Sequence, residues 1–306
     1  MTDNQVQSDL IIDAGMNNGD DTEFYLAKGF RVIAVEANPA LVTRAKERFA
    51  SQIAAHRLSV IGVAVSDHDG TVEFFEDTED DGRSSLSHDY AVQNVTTRGG
   101  RWRRIEVPCA RMERILGECG VPYYLKIDIE TADRLCLEAL KEYHRRPRYV
   151  SFELSLANFE ETFLNLKLLW DLGYRNFKLV NQALHHLIRL PNPPREGGHV
   201  DFRFKKRMSG PFGEETPGRW LNLDETAEKY FWLRKRDRAY IRLAHEGTFA
   251  GIPIGPVFPT LKRLYNSRIC SLVRDTGYRI RGHQPSGWYD LHARLGEGDG
   301  PPAFAP

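Results

Sequence analysis

The sequence predicts an α/β fold, a mostly parallel sheet layered between helices, and three observations carry that prediction. Short β-branched runs alternate with amphipathic helical stretches from Leu10 to Val180, the pattern of strand–helix–strand units with right-handed crossovers. The first such unit is compact. Ile11 and Ile12 lead through Asp13 to Gly15 and Gly19, and Asp20-Asp21-Thr22 open a helix, so a strand, a glycine turn and a helix follow one another. Arg31-Val-Ile-Ala-Val-Glu36 is then a second strand that ends in a carboxylate, the place where a doubly wound sheet holds ribose hydroxyls.

The remaining elements follow in order. Phe24 to Ala27 belong to a short helix ending at Gly29, and Asn38-Pro39 separates the second strand from a helix over Ala40 to Ala54 with Leu41, Ala45, Phe49 and Ile53 on one stripe. Leu58 to Val65 is the third strand, and its end is expected to form an edge hairpin with Thr71 to Phe75 across the turn residues Asp67 to Gly70. Periodicity fades from Glu76 to Arg104, which reads as a loop that starts with the acidic run Glu79-Asp80-Asp81. A short helix over Arg111 to Leu116 precedes the fourth strand, Val121 to Asp128, whose apolar character suits a central position. Helix Ala132 to Tyr143, strand Arg148 to Leu154, helix Phe159 to Leu172 and strand Arg175 to Val180 repeat the alternation.

Beyond Leu190 the texture changes, and Val200 to Phe204 alternates like an antiparallel edge strand. We therefore expect a core over residues 1–206 and a C-terminal extension over 207–306, serving as a lid or a packing annex. That extension holds an aromatic helical segment near Tyr230 to Tyr240, a Gly/Pro-rich stretch from Gly247 to Pro259, and Trp288 to His292.

Composition narrows the function. Lys+Arg and Asp+Glu both total 42 in 306 residues, so no net charge draws in nucleic acid or an anionic membrane. Cys109, Cys119, Cys136 and Cys270 show no C-x-x-C spacing, which favours reduced thiols over a disulfide framework or zinc site. The polar amino terminus and the lack of an apolar run near ~20 residues make a cytoplasmic location the expectation.

A dinucleotide fold wants G-x-G-x-x-G after its first strand, but here Asp13 precedes Gly15. A carboxylate repels a pyrophosphate in a partly desolvated site and attracts an ammonium or sulfonium. S-adenosylmethionine is accordingly favoured over NAD. Asp13 would sit near its amino-acid end, directly or through water, Gly15 would permit close approach, and Glu36 would accept from the ribose, a charge-assisted contact contributing ~1.5–3 kcal/mol.

Six stretches resemble the FkbM-type class I methyltransferases: Ile12 to Thr22, Ala34 to Pro39, Gly62 to Gly70, Ser84-Ser-Leu86, Leu125 to Glu130 and Tyr149 to Glu153. The resemblance covers roughly residues 10 to 155. It implies a Rossmann-like class I methyltransferase sheet, S-adenosylmethionine as donor, and often methylation of a hydroxyl on a sugar or natural product. Its stretches supply the other expected cofactor residues: Asn17 and Gly19 in the first turn, Ala37, Ala64, Val65 and Asp128. Two departures stand out: Thr131 follows Glu130 where the family usually has Gly, and Arg111-Met-Glu113 stands where a Leu-Asp pair is common.

Methyl transfer is an in-line displacement at an activated carbon, so the protein has to align an acceptor atom and, for a hydroxyl, remove its proton. Asp128 is the first choice for that acceptor-side role, with Lys126 and Glu153 beside it at the carboxyl ends of the central strands. Lys126 and Asp128 are equally readable as a buried ion pair that orients the strand end. Asp128, Glu130 and Glu153 could gather a divalent cation, for which three carboxylates without a fixed short spacing are weak support, so none of them is assigned as a metal ligand. One of His185 and His186 is a candidate base, although a surface loop histidine is the commoner case. Trp220, Trp232, Trp288 and Tyr289 suit either a sugar face or the packing of the annex. A small-molecule acceptor is the expected partner, selected by the Glu76 to Arg104 loop and the tail, and the oligomeric state is left open. The competing readings are an NAD(P)-dependent oxidoreductase and a binding module without turnover.

Overall fold

The computed structural model describes residues 5–79, 84–92, 101–130, 132–205, 207–238, 248–249, 252–253 and 288–296. Its main sheet is built from β1 (Val6–Ala14), β2 (Arg31–Val35), β3 (Leu58–Ile61), β7 (Val121–Ile127), β8 (Tyr149–Leu154), β9 (Tyr174–Asn181) and β12 (Tyr289–Leu295). The order across the sheet is β3-β2-β1-β7-β8-β12-β9. Six strands run parallel and β12 runs antiparallel to both of its neighbours. Every residue of β7 is buried, as befits a strand covered on both faces.

On one face lie α4 (Met112–Cys119), α5 (Asp133–Ala139), α6 (Phe159–Asp171) and α7 (Leu223–Arg236), sealing a core that includes Ile12, Leu125, Val150, Leu291 and Tyr230. On the other, α1 (Asp20–Ala27), α2 (Pro39–Arg48) and the side chains of Phe202, Phe204, Met208 and Phe212 cover Ile11, Val32, Tyr124 and Tyr149. Local chemistry sets the helix starts. Asn38 accepts from the Ala40 amide ahead of Pro39, Asn158 from Glu161, and Asn222 and Glu225 form a reciprocal capping box on α7.

A mostly parallel α/β sheet with one antiparallel strand is what the sequence predicts, but that strand lies second from the edge and comes from Tyr289–Leu295. The stretch expected to be annex thus supplies a sheet strand between β8 and β9. Val200 to Phe204 is not a strand: Phe202 and Phe204 alternate because they pack on Phe24, with ring centroids 5.1 and 4.9 Å from it.

The expected edge hairpin is also different. The third strand stops at Ile61, and β4 (Ala64–Val65) leaves it to join β6 (Trp102–Ala110), which pairs antiparallel with β5 (Gly70–Asp77). Charges hid β6, which starts inside the expected loop. Arg103 and Arg104 are solvent-facing and pair across the ladder with Glu76 at 2.6 Å and Glu73 at 2.9 Å.

Two helices differ as well. The Ala40 to Ala54 helix breaks at Phe49 into α2 and α3 (Ala50–Ala54), and the tail helix starts at Leu223. Asp80, Asp81, Thr131, Tyr240, Cys270 and most of Gly247 to Pro259 lie outside the described residues, the last apart from a short ladder of β10 (Thr248–Phe249) and β11 (Ile252–Pro253). No helix among the described residues is long and apolar enough to cross a membrane.

Candidate active site

The chain leaves β1 toward β2 and β3 on one side and returns to β7 on the other, so the ends of β1 and β7 form the switch point where ligands of open α/β sheets bind. These two ends are tied together: the Asp128 amide donates to the Ala14 carbonyl at 2.8 Å and Lys126 Nζ to the Gly15 carbonyl at 2.9 Å. Gly15 has φ +84°, and a Cβ there would lie 1.8 Å from the Asp128 carbonyl oxygen. Its missing side chain therefore makes room for the end of β7, where the sequence suggested room for a ligand. Asn17 and Gly19 are also left-handed, at φ 52° and 82°, and complete the turn into α1.

Glu36 stands just past β2 with its carboxylate fixed on both sides. Oε2 accepts from the Asn17 amide and Oε1 from the Asn38 amide, each at 2.8 Å. Burial pushes its pKa up, and these two amides oppose that shift. Asn38 in turn reaches Glu76 at 3.2 Å, so the pin extends into the smaller sheet.

Beneath this turn lies a closed ion cluster. Lys126 Nζ is 3.1 Å from Asp13 Oδ1, 3.5 Å from Asp128 Oδ2 and 4.0 Å from Asp21 Oδ2. Burial works against its charge, but Asp13, Asp128 and Asp21 hold the ammonium well above its usual range. Asp13 is fully buried, with Thr22 donating to Oδ2 at 2.7 Å. Its register partner Lys126 closes it off from solvent, so of the two expected ways of meeting the amino-acid end of a cofactor the indirect one suits this geometry. Lys126 is likewise closed to solvent, 3% exposed, and ties the two strand ends together. Burial pushes Asp21 up to about 7, and the Ser209 amide donates to both its oxygens at 3.0 and 3.1 Å, closing the floor with a segment of the tail.

The exposed chemistry is carboxylate. Asp128 keeps 39% of its side chain accessible. Oxygens of Asp128, Glu130 and Glu153 lie within 4.8 Å of one another. Burial first, and then Glu130, Asp128, Asp290 and Asp133, push Glu153 well above the carboxylate range. Asp290 of β12 faces Glu153 across the ladder, and burial followed by Asp128 raises it strongly too.

A model of the methyltransferase FkbM domain matches residues 13–176, more than half of the chain. The chain belongs to the FkbM methyltransferase family. Similar solved structures include methyltransferase FkbM from Methylobacillus flagellatus KT, at 17% identity over 56% of this chain and 40% of that one, TM-score 0.38. Precorrin-6y C5,15-methyltransferase from Geobacter metallireducens GS-15 aligns at 10% identity over 58% and 69%, TM-score 0.34. Precorrin 8w decarboxylase from the Methanobacterium thermoautotrophicum genome aligns at 12% over 57% and 69%, TM-score 0.32. The alignment thus spans less than half of the M. flagellatus chain. No curated protein matches the sequence.

In this member of the FkbM methyltransferase family the other predicted residues divide. Ala37 is half-buried against the small core of Ala64, Phe74, Val107 and Cys109. Ala64 and Val65 have buried side chains in β4 and would offer a ligand main-chain atoms alone. His185 is not a surface loop residue: it is 1% exposed on the 3-10 turn after β9, and its Nδ1 bonds the Met208 carbonyl at 2.8 Å. Trp220 stacks on Tyr149 and Tyr289 is buried, whereas Trp232 and Trp288 are exposed. Sequence reasoning missed Asp290, Gln182 and Asp21 as site residues. The signal for Asp290 was present in the period-2 alternation of Tyr289, Leu291, Ala293 and Leu295.

Proposed function

We propose that this FkbM methyltransferase uses S-adenosylmethionine to methylate a hydroxyl oxygen on a sugar-containing or other small polar metabolite. The observation that carries the reading is Glu36 at the switch point. Two backbone amides hold its carboxylate, and each oxygen keeps acceptor capacity for the two hydroxyls of a ribose. The donor set around it fits a cationic ligand. Asp13 is neutralised by Lys126, so the preference against pyrophosphate rests on Asp128, Glu130 and Glu153, whose charges would repel phosphate oxygens.

S-adenosylmethionine, when bound, supplies a methyl group on a sulfonium, which makes that carbon electrophilic. The chain's own residues then have limited tasks. Glu36 orients the nucleoside, and the Asp13–Lys126 pair keeps the β1 and β7 ends at a fixed separation. Asp128, the accessible carboxylate at the end of β7, would accept a hydrogen bond from the acceptor hydroxyl and take up its proton. Glu153, beside Asp128 at the end of the neighbouring strand, would orient the acceptor. The free thiols of Cys109, Cys119 and Cys136 are in keeping with a reducing cytoplasmic setting.

Mass-spectrometric screening of sugar and natural-product hydroxyl acceptors with the donor tests the reading. A methylated product whose formation falls by about 100-fold or more in Asp128→Ala supports it. Full activity in that variant on an identified acceptor would remove Asp128 from the chemistry.

A further inference from the structure

We propose that Asp128, Glu130 and Glu153, backed by Asp290, bind one hard divalent cation of the magnesium or manganese kind. One oxygen from each of the first three lies within 4.8 Å of the other two. Oxygens that share an ion at about 2.0–2.6 Å sit at most roughly 4–5 Å apart, so the three converge on one coordination sphere with only small side-chain adjustment. An all-carboxylate donor set selects hard cations over zinc or copper.

The fold produces the convergence. Asp128 follows β7 directly and Glu153 is the penultimate residue of the neighbouring β8. Glu130 is turned back by a left-handed φ of 49°, with its carbonyl accepting from Ser85 Oγ at 3.1 Å.

Asp290 is an independent observation pointing the same way. It sits directly opposite Glu153 in the antiparallel β12–β8 register, so the two side chains leave the same face about 4.5–5.5 Å apart. It is 3% exposed, Gln182 Nε2 donates to Oδ1 at 2.5 Å, and the buried Oδ2 has no hydrogen-bond partner among the described residues. A buried carboxylate oxygen in that state, opposite Glu153 and in the field of Asp128, is an arrangement that a cation completes. Lys126, at 3.5 Å from Asp128 Oδ2, lies on the inner side of the group and is also held by Asp13 and the Gly15 carbonyl. It leaves the outer side to the ion.

Cation binding does not depend on the methyl-transfer reading, and it is measured on the full chain with no donor present. The probe is manganese chloride in calorimetry or electron paramagnetic resonance, after dialysis against chelator. One saturable site is expected, with affinity falling by about tenfold or more in Glu153→Gln and in Asp290→Asn, and unchanged in Glu106→Gln on an exposed strand. Thermal melts in chelator guard against misfolding: relief of repulsion should leave the first two variants at least as stable as the wild type. Absence of saturable binding by the wild type up to roughly 1 mM manganese would overturn the proposal. So would equal affinity in wild type, Glu153→Gln and Asp290→Asn.

Discussion

Lys126→Met removes the one cation in ion-pair contact with Asp13 among the described residues, at a position where both side chains are closed to solvent, 3% and 0% exposed. Asp13 would keep its Thr22 hydrogen bond and lose its counter-charge, and the Gly15 carbonyl would lose its donor. Breaking a buried pair by deleting one member costs about 3–5 kcal/mol. Asp13→Asn alone is milder, about 1–3 kcal/mol, because the ammonium retains Asp128 at 3.5 Å and Asp21 at 4.0 Å. The double variant Asp13→Asn/Lys126→Met carries neither charge and should regain about 2 kcal/mol over Lys126→Met. Urea unfolding followed by far-UV circular dichroism, with matched slopes, reads all three. A cost below about 1 kcal/mol for Lys126→Met, or strict additivity in the double variant, would refute the claim that this pair locks the strand ends.

Three further outcomes follow from the geometry. Gly15→Ala forces a left-handed alanine and a Cβ 1.8 Å from the Asp128 carbonyl oxygen, so the β1 and β7 ends must separate; a melting temperature within error of wild type would contradict this. Glu36→Gln places an amide donor against the Asn17 or Asn38 N–H and should weaken S-adenosylmethionine binding by about 10–100-fold in calorimetry, with little loss expected if Glu36 does not meet the ribose. Burial lowers His185 to about 4, against a Met208 hydrogen bond, and burial with His185 and Lys178 lowers His292 to about 3. Both folded values lie below the ordinary 6.5, so their contribution is complete above that pH and is lost as pH falls toward 4 and 3. At pH 5 each costs about 2 kcal/mol relative to neutral pH. His292→Leu should remove roughly half of that slope between pH 7 and 5, and an unchanged slope would count against it.

What was legible in the sequence was local. Strand, glycine turn and helix from Ile11 to Thr22, and the carboxylate ending at Glu36, are written in neighbouring residues, and the structure keeps them in place. What was not legible depends on register between distant strands. Asp13 was visible as a charge, but only the β1–β7 pairing shows Lys126 opposite it as its buried counter-charge. Tyr289–Leu295 enters the sheet between strands that precede it by most of the tail, so its alternation could not be assigned a partner. Val200 to Phe204 failed in the opposite sense, since period-2 apolarity there records packing on Phe24 rather than a ladder. Arg103 and Arg104 masked β6 because their charges are satisfied across the strand pair, and a loop and a solvent-facing strand look alike in composition.

The central claim, that the cradle around Glu36 takes a sulfonium nucleoside, is tested most directly by calorimetric titration of the full chain with S-adenosylmethionine, its demethylated product and NAD. Saturable binding of the first two, with no heat from NAD, is the predicted result. Tight NAD binding with no response to S-adenosylmethionine would contradict it.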